Sequence, residues 1–293
     1  MEKVYGIMHG VVEVKRLIAI KSNKKVKYYY MSKGMFKNFM MYFQYGMYVF
    51  ITVQIKPRLY RGYLVQNIVS IDKVLSPNKN NPKVYYDISI IKTGVKSLVN
   101  KNRKKLFIDF EMSMPPYSNY KTFQSEIIQV GYVLVDELGF EIERYSSYIK
   151  PKLFPKISKR TEKFLHIDQE SVSGGIDYLE FYERFRTMTN QYCPMIFVWG
   201  KNDQLELNKM NKIHRLKKFN SNVQFVDLLN LHKIYYRLKN DIGLFNAYNL
   251  YSDKDISNQQ HDALEDALVT AEIFVNFKRV CNNVMQVLID ENK

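Results

Sequence analysis

The stretch from Lys104 to Met114 reads KKLFIDFEMSM and places two carboxylates inside an apolar run. Side chains two residues apart on a strand point to the same face, so Phe107, Asp109 and Glu111 share one face. The apolar character of the run predicts that this strand is buried. Neighbouring anions that lose their water repel each other unless a cation compensates them, and a Lys or Arg side chain is one source of that cation.

A second acid follows another predicted strand. Residues 195–199 form an apolar run, a glycine turn comes next, and Asp203 lies where a helix should begin. One interpretation makes Asp203 the helix N-cap, with Glu206 completing a capping box.

A third group of polar residues opens a late helix, QQHDALEDALVTAEIFVNF at 259–277. Asp262 with Glu265 fits another capping box, which leaves Asp266 unexplained one turn into the helix. His261 directly precedes this helix, and a single histidine at such a position is usually a surface residue.

Taken together, Asp109-x-Glu111, Asp203 after a Trp-Gly turn and His261-x4-Asp266 resemble the DEDDh branch of the DnaQ-like 3′→5′ exonucleases. The resemblance covers residues from about 105 to 280 and is nearest to the exoribonuclease group of Eri and KapD proteins. Residues 125–151 read as two antiparallel strands with Gly139 in the turn, as the family requires. The resemblance implies an α/β, ribonuclease H-like fold: a mixed five-stranded sheet with helices on both faces.

The resemblance also implies the chemistry. Clustered carboxylates suit hard divalent cations, and two Mg²⁺ or Mn²⁺ ions can activate water and clamp a scissile phosphate. Asp109 would contact both ions, Glu111 and Asp266 the ion that activates water, and Asp203 the other ion. His261 would be the general base, because imidazole titrates near neutral pH. The product would be a nucleoside 5′-monophosphate removed from the 3′ end of single-stranded RNA or DNA, with RNA favoured.

Several residues near this pattern have other expected roles. Met112 follows the DxE motif where the family often has a small residue or Thr, and the resemblance implies that it lies on the substrate side of the site. His166 replaces a usual Gly of the family. Phe110 and Met112 are candidates for the pocket that holds the terminal base. For Phe110, the alternation along the strand equally allows a place in the core. Glu126 is expected to be structural or to support the ligands. The remaining histidines, His9, His166, His214 and His232, are assigned to the surface or to packing.

The charge of the chain is uneven. Residues 1–105 contain 21 Lys and Arg against four acids, whereas the rest is close to neutral. We therefore predict a basic domain at 1–98, a linker at 99–105 and the exonuclease domain at 106–293. Strands, one helix and more strands in the first part are compatible with a small oligonucleotide-binding (OB) barrel, with residues 10–20 read as one strand. An anionic partner is expected, with nucleic acid favoured over a membrane surface or ribosome.

Composition excludes other classes. No apolar run is long enough to cross a membrane, the N-terminus lacks a secretory signal pattern, and two separate cysteines fit a reducing cytoplasm. Two alternatives stay open: a nucleic-acid-binding adaptor on an exonuclease scaffold, and a proofreading subunit whose basic domain docks a polymerase.

Overall fold

The computed structural model describes residues 1–78, 80–117, 122–219, 223–238, 240–252 and 261–287. It divides into two units, Met1–Gly94 and Val95–Lys293. The first unit contains seven strands and a helix: β1 (Glu2–Val12), β2 (Leu17–Ser22), β3 (Lys25–Tyr30), α1 (Lys33–Phe39), β4 (Tyr48–Val53), β5 (Arg58–Tyr60), β6 (Tyr63–Leu75) and β7 (Val84–Asp87).

The sheet of the first unit closes on itself. Hydrogen-bonded neighbours run in the order β3-β2-β1-β4-β6, and β6 returns to β3 through a parallel pairing. The two short strands, β5 and β7, pair with β6. Side chains alternate between the two faces of β3. Tyr29 therefore packs in the core with Ile18 and Ile20, whereas Tyr28 and Tyr30 lie on the other face.

One sequence prediction in this unit is wrong. Residues 10–20 do not form a single strand, because the chain turns through a 3-10 segment at Glu13–Lys15. Arg16 then adopts a left-handed conformation with φ 52°, and Val12 pairs back onto Leu17. The β-branched residues on both sides of the turn predict strand equally well, so the local pattern does not reveal the reversal.

A helix, α2 (Ile88–Val99), crosses the division between the units, and the first strand of the second unit begins at Lys105. The second unit then continues as follows: β8 (Lys105–Met112), β9 (Ile127–Val135), β10 (Glu141–Tyr148), α3 (Lys159–Leu165), α4 (Gln169–Ser173), α5 (Tyr178–Tyr192), β11 (Met195–Val198), α6 (Asn202–Ile213), β12 (Gln224–Asp227), α7 (Leu228–Tyr236), α8 (Leu244–Tyr248) and α9 (Ala263–Cys281).

The second unit is built on a mixed five-stranded sheet of order β10-β9-β8-β11-β12. The pairs β10–β9 and β9–β8 are antiparallel, and β8–β11 and β11–β12 are parallel, so the predicted sheet is confirmed. Both faces of β8 are covered. Leu106, Ile108 and Phe110 pack in the cluster that contains residues of α5 and α6, whereas Phe107 packs against Phe274 of α9.

In the part of the chain that the structure describes, every helix is too short or too polar to cross a membrane.

Candidate active site

Two parallel strands bring three of the predicted acids to one edge of the sheet. Phe107 of β8 is in register with Phe197 of β11, so the carboxyl ends of both strands meet there. Asp109 and Glu111 lie at the end of β8. Beyond β11 the chain turns at Gly200, whose φ of 99° favours glycine, and Asp203 lies in the first turn of α6.

The start of α9 brings the remaining predicted residues. Asp262 is the N-cap and accepts hydrogen bonds from the backbone N–H groups of Leu264 and Glu265. One turn later, Asp266 is buried with 6% of its surface exposed, and His261 precedes the cap. The capping residue therefore orients the helix end that carries Asp266.

Two residues of β9 that position α9 are not among the residues predicted from the sequence. Gly131 pairs with Asp109 across the sheet, and a Cβ atom there would lie 2.1 Å from the backbone nitrogen of Leu264. Gln129, paired with Glu111, donates a 2.7 Å hydrogen bond from Nε2 to Asp262 Oδ2. A glycine inside an apolar strand marks a close backbone approach, and this signal could have identified Gly131.

His261 lies beside the acids. Its Nδ1 is 3.9 Å from Glu111 Oε1, and its ring stacks on Phe164 with the ring centres 4.6 Å apart. Potential ligand atoms of Glu111, His261 and Asp266 all lie within 4.8 Å of one another. The start of α9 and the strand β8 thus contribute to one cluster.

Burial and mutual repulsion raise the pKa values of the clustered carboxylates. Burial, followed by the charges of Asp203 and Asp266, raises the pKa of Asp109 well above its ordinary value. Burial and then the charge of Asp266 raise the pKa of Glu111 to about 8. Burial likewise raises the pKa of Asp203 to about 7, although the backbone N–H groups of Asp203 and Phe110 favour its charged form. Burial, then Asp262, raises the pKa of Asp266 to about 7.

The cluster fits a hard divalent cation. Asp266 Oδ1 is buried and has no hydrogen-bond partner among the described residues, which leaves a lone pair free for a ligand. A bound cation would relieve the repulsion that raises the four pKa values, and oxygen atoms are the ligands that Mg²⁺ and Mn²⁺ prefer. Asp109, Glu111, Asp203, His261 and Asp266 are thus brought together, and their individual roles stay predictions.

The structure decides between the alternative roles of Asp203 and Phe110. Asp203 is not a helix N-cap, because α6 begins at Asn202 after Lys201, and Glu206 pairs with Lys209 instead of closing a capping box. Phe110 is 2% exposed and packs edge-on against Phe181, so it belongs to the core.

Glu126 lies apart from the cluster and is structural. It is fully buried, and its carboxylate accepts hydrogen bonds from the backbone N–H groups of Lys152, Leu153 and Phe154. Its own N–H donates to Ser113 Oγ, which ties the end of β8 to the start of β9.

The other histidines pack or lie on the surface as expected. His232 is fully buried between Leu228 O and Tyr251 Oη, and His214 packs on Tyr178. His166 is exposed and ends α3 in a left-handed conformation with φ 55°, which explains the glycine that the family uses there.

A cavity of about 380 Å³ adjoins His261. The described residues that line it come from β9, β10, the end of α3 with the two residues that follow it, and the start of α9: Gln129, Tyr148, Leu165, His166, Ile167, His261 and Asp262. Its wall combines apolar side chains with polar groups, as expected of a site for a small organic group.

Comparison with known proteins agrees with this geometry. The exonuclease family RNase_T matches residues 106–274. The probable 3′-5′ exonuclease KapD of Bacillus subtilis (strain 168) is 33% identical over 173 residues, which is 58% of this chain and 82% of KapD.

Two solved structures share the fold. The nuclease domain of 3′hExo, a DEDDh family member, superimposes with a TM-score of 0.53 at 17% identity, over 65% of this chain and 97% of that domain. Cell-death related nuclease 4 (CRN-4) superimposes with a TM-score of 0.50 at 21% identity, over 63% of this chain and 65% of CRN-4. The family match and the identity with KapD confirm the predicted resemblance to 3′→5′ exonucleases, and the chain belongs to the RNase_T exonuclease family.

Proposed function

We propose that the chain removes nucleoside 5′-monophosphates one at a time from the 3′ end of single-stranded nucleic acid, with RNA favoured over DNA. The observation that carries this proposal is the cluster of buried acids beside His261. A buried group of like charges destabilises a protein, so its presence at the end of the central strand favours a catalytic use.

Asp109, Glu111, Asp203 and Asp266 would hold two divalent cations, Mg²⁺ or Mn²⁺. Such ions supply the charge that lowers the pKa of an attacking water and offsets the charge that develops on the phosphate. The raised pKa values support this role, because carboxyl groups that retain protons in the absence of metal release them when a cation binds.

His261 would act as the general base. Burial, followed by the neighbouring His166, lowers the pKa of His261 below its ordinary value, so the ring is neutral and can accept a proton at physiological pH. Phe164 supports one face of the ring, which fixes its orientation toward the acids.

The cavity beside His261 would hold the 3′-terminal nucleotide. Gln129 and His166 offer polar groups, and Leu165 and Ile167 offer apolar surface for a base or sugar. RNA is favoured because the related nuclease domain of 3′hExo was solved with bound rAMP and because the sequence resembles the Eri and KapD group.

The first unit would hold the single strand. Its strand order, the parallel contact of β3 with β6 and the helix between β3 and β4 support an OB barrel as the fold of this unit, and OB barrels bind oligonucleotides. Its 16 basic residues against four acids would attract the phosphate backbone.

A time course on 5′-labelled single-stranded RNA and DNA of equal sequence tests the proposal. We expect a ladder that shortens from the 3′ end with Mn²⁺ or Mg²⁺, disappears with EDTA and is nearly lost in His261→Ala. His9→Ala is the matched control, because His9 packs against Tyr45 in the first unit. Binding without cleavage by the wild type would instead support an adaptor, and cleavage only with a polymerase present would support a proofreading subunit.

A further inference from the structure

A surface of the first unit combines aromatic rings with cations from three segments of the chain. Arg16 follows the turn between β1 and β2, Tyr30 ends β3, and the β5–β6 hairpin supplies the rest. We call it the tyrosine–arginine surface; its members are Arg16, Tyr30, Arg58, Tyr60, Arg61 and Tyr63.

The side chains of this surface are interleaved. The Arg58 guanidinium lies 4.8 Å from the ring centre of Tyr30 and 5.0 Å from that of Tyr60, and these two rings meet edge to face at 4.8 Å. Arg61 lies 5.6 Å from the Tyr60 ring, and Arg16 donates a 2.8 Å hydrogen bond to Tyr30 Oη. Contacts between cations and rings of this kind hold long side chains in place without neutralising their charge.

The positive charge of the surface is uncompensated by acids. Among the described residues, no carboxylate forms an ion pair with any of its three arginines. Two of the four acids of the unit are engaged elsewhere: Asp87 pairs with Lys73, and Asp72 accepts hydrogen bonds from Thr52 and Ser70. Clustered like charges repel each other, and an anionic ligand would relieve that repulsion.

Packing explains only part of this surface. Tyr30 is paired with Leu17 across the sheet, and Leu17 is fully buried although it faces away from the residues of the barrel core. The tyrosine rings suffice to cover Leu17, so the burial of Leu17 does not explain the three arginines. Arg58 and Arg61 are exposed, and the tyrosines are half-buried, so both kinds of group remain accessible to a ligand.

We propose that the tyrosine–arginine surface binds a stretch of single-stranded nucleic acid, with guanidinium groups on the phosphates and tyrosine rings against unpaired bases. Rings can stack on bases only when the bases are unpaired, which favours a single strand over a duplex. The inference rests on the proposed function in one respect: the bound strand is the substrate of the exonuclease domain of the same chain.

Fluorescence anisotropy of the full chain in EDTA, with labelled RNA and DNA single strands of about 20 nucleotides, tests the inference without cleavage. In Arg58→Ala/Arg61→Ala, the slope of log affinity against log salt should fall by about 1.4, since each lost phosphate contact removes about 0.7. Tyr60→Leu should weaken binding about 5- to 150-fold, whereas Tyr60→Phe, which keeps the ring, should bind as the wild type does.

A second pair of cation and ring on the same unit gives the matched control. Lys83 lies 5.3 Å from the ring centre of Tyr85, away from the tyrosine–arginine surface, and both residues are exposed. Lys83→Ala and Tyr85→Leu should leave affinity and salt slope unchanged. Equal losses in the control and test variants would overturn the inference, as would equal affinity of the wild type for a duplex.

Hydrolysis of a dinucleotide with Mn²⁺ by the wild type separates the two proposals, because so short a substrate requires only the active site. Dinucleotide cleavage without affinity for long single strands would overturn the inference and would still support the proposed function. Affinity that depends on Tyr60 and Arg58, with no cleavage of any substrate, would support the inference and overturn the proposed function.

Discussion

The carboxylate cluster predicts that removing one acid stabilises the metal-free protein. The perturbation is Glu111→Gln, which keeps the shape of the side chain and deletes its charge. The pKa of Glu111 is raised from 4.5 to about 8 in the folded protein, so the folded state binds more protons than the unfolded state between these values. The wild type therefore loses stability as pH rises through this window, and the variant lacks this loss.

The size of the effect follows from the pKa difference. At pH 7 the variant should be about 3 kcal/mol more stable than the wild type, and at pH 5 only about 1 kcal/mol. For a unit of this size, a change of 1 kcal/mol in the free energy of unfolding shifts the melting temperature by about 2–4 °C. The expected difference in melting temperature is therefore about 6–12 °C at pH 7 and about 2–4 °C at pH 5.

Thermal melts in EDTA at the two pH values, followed by circular dichroism, measure these differences. Glu272→Gln is the matched control, because Glu272 is exposed on α9 and should shift neither melt. Saturating Mn²⁺ should reduce or reverse the difference in melting temperature between the variant and the wild type. The reason is that metal binding stabilises the wild type by about 2.7 kcal/mol at a metal concentration 100 times its Kd. Equal melting temperatures of Glu111→Gln and wild type at pH 7 in EDTA would refute the reasoning.

Four further predictions concern residues around the site. His261→Ala should lower kcat by about 10²- to 10⁴-fold, and loss of the acidic limb of the pH–rate profile would identify the general base. Gly131→Ala should reduce both activity and melting temperature, because its Cβ would lie 2.1 Å from the Leu264 nitrogen; a fully active, stable variant would contradict the close approach of α9. Glu126→Gln should destabilise the protein by about 1–3 kcal/mol in urea unfolding while kcat per folded molecule stays unchanged. His166→Gly should raise stability by about 1 kcal/mol through relief of a left-handed residue, and an unchanged urea midpoint would argue against strain there.

The sequence determined much of the exonuclease unit because its signals are local. Alternation along β8 placed Asp109 and Glu111 on the face of Phe107, and the structure confirms that this face packs against α9. The N-cap at Asp262 was readable from spacing alone, because a cap and the backbone groups it satisfies lie within one turn. The spacing of the acids also sufficed for the family, which the comparisons confirm.

Tertiary structure decided what joins distant segments. Asp203 fitted a helix cap equally well from sequence, and only the parallel register of β8 with β11 brings it to the other acids. The turn at Arg16 was likewise hidden, and Gly131 indicates a close backbone approach without revealing that α9 is the partner. Local propensity reports on neighbours in the chain, whereas a register, a chain reversal and a helix packed on a strand depend on which distant surfaces fit together.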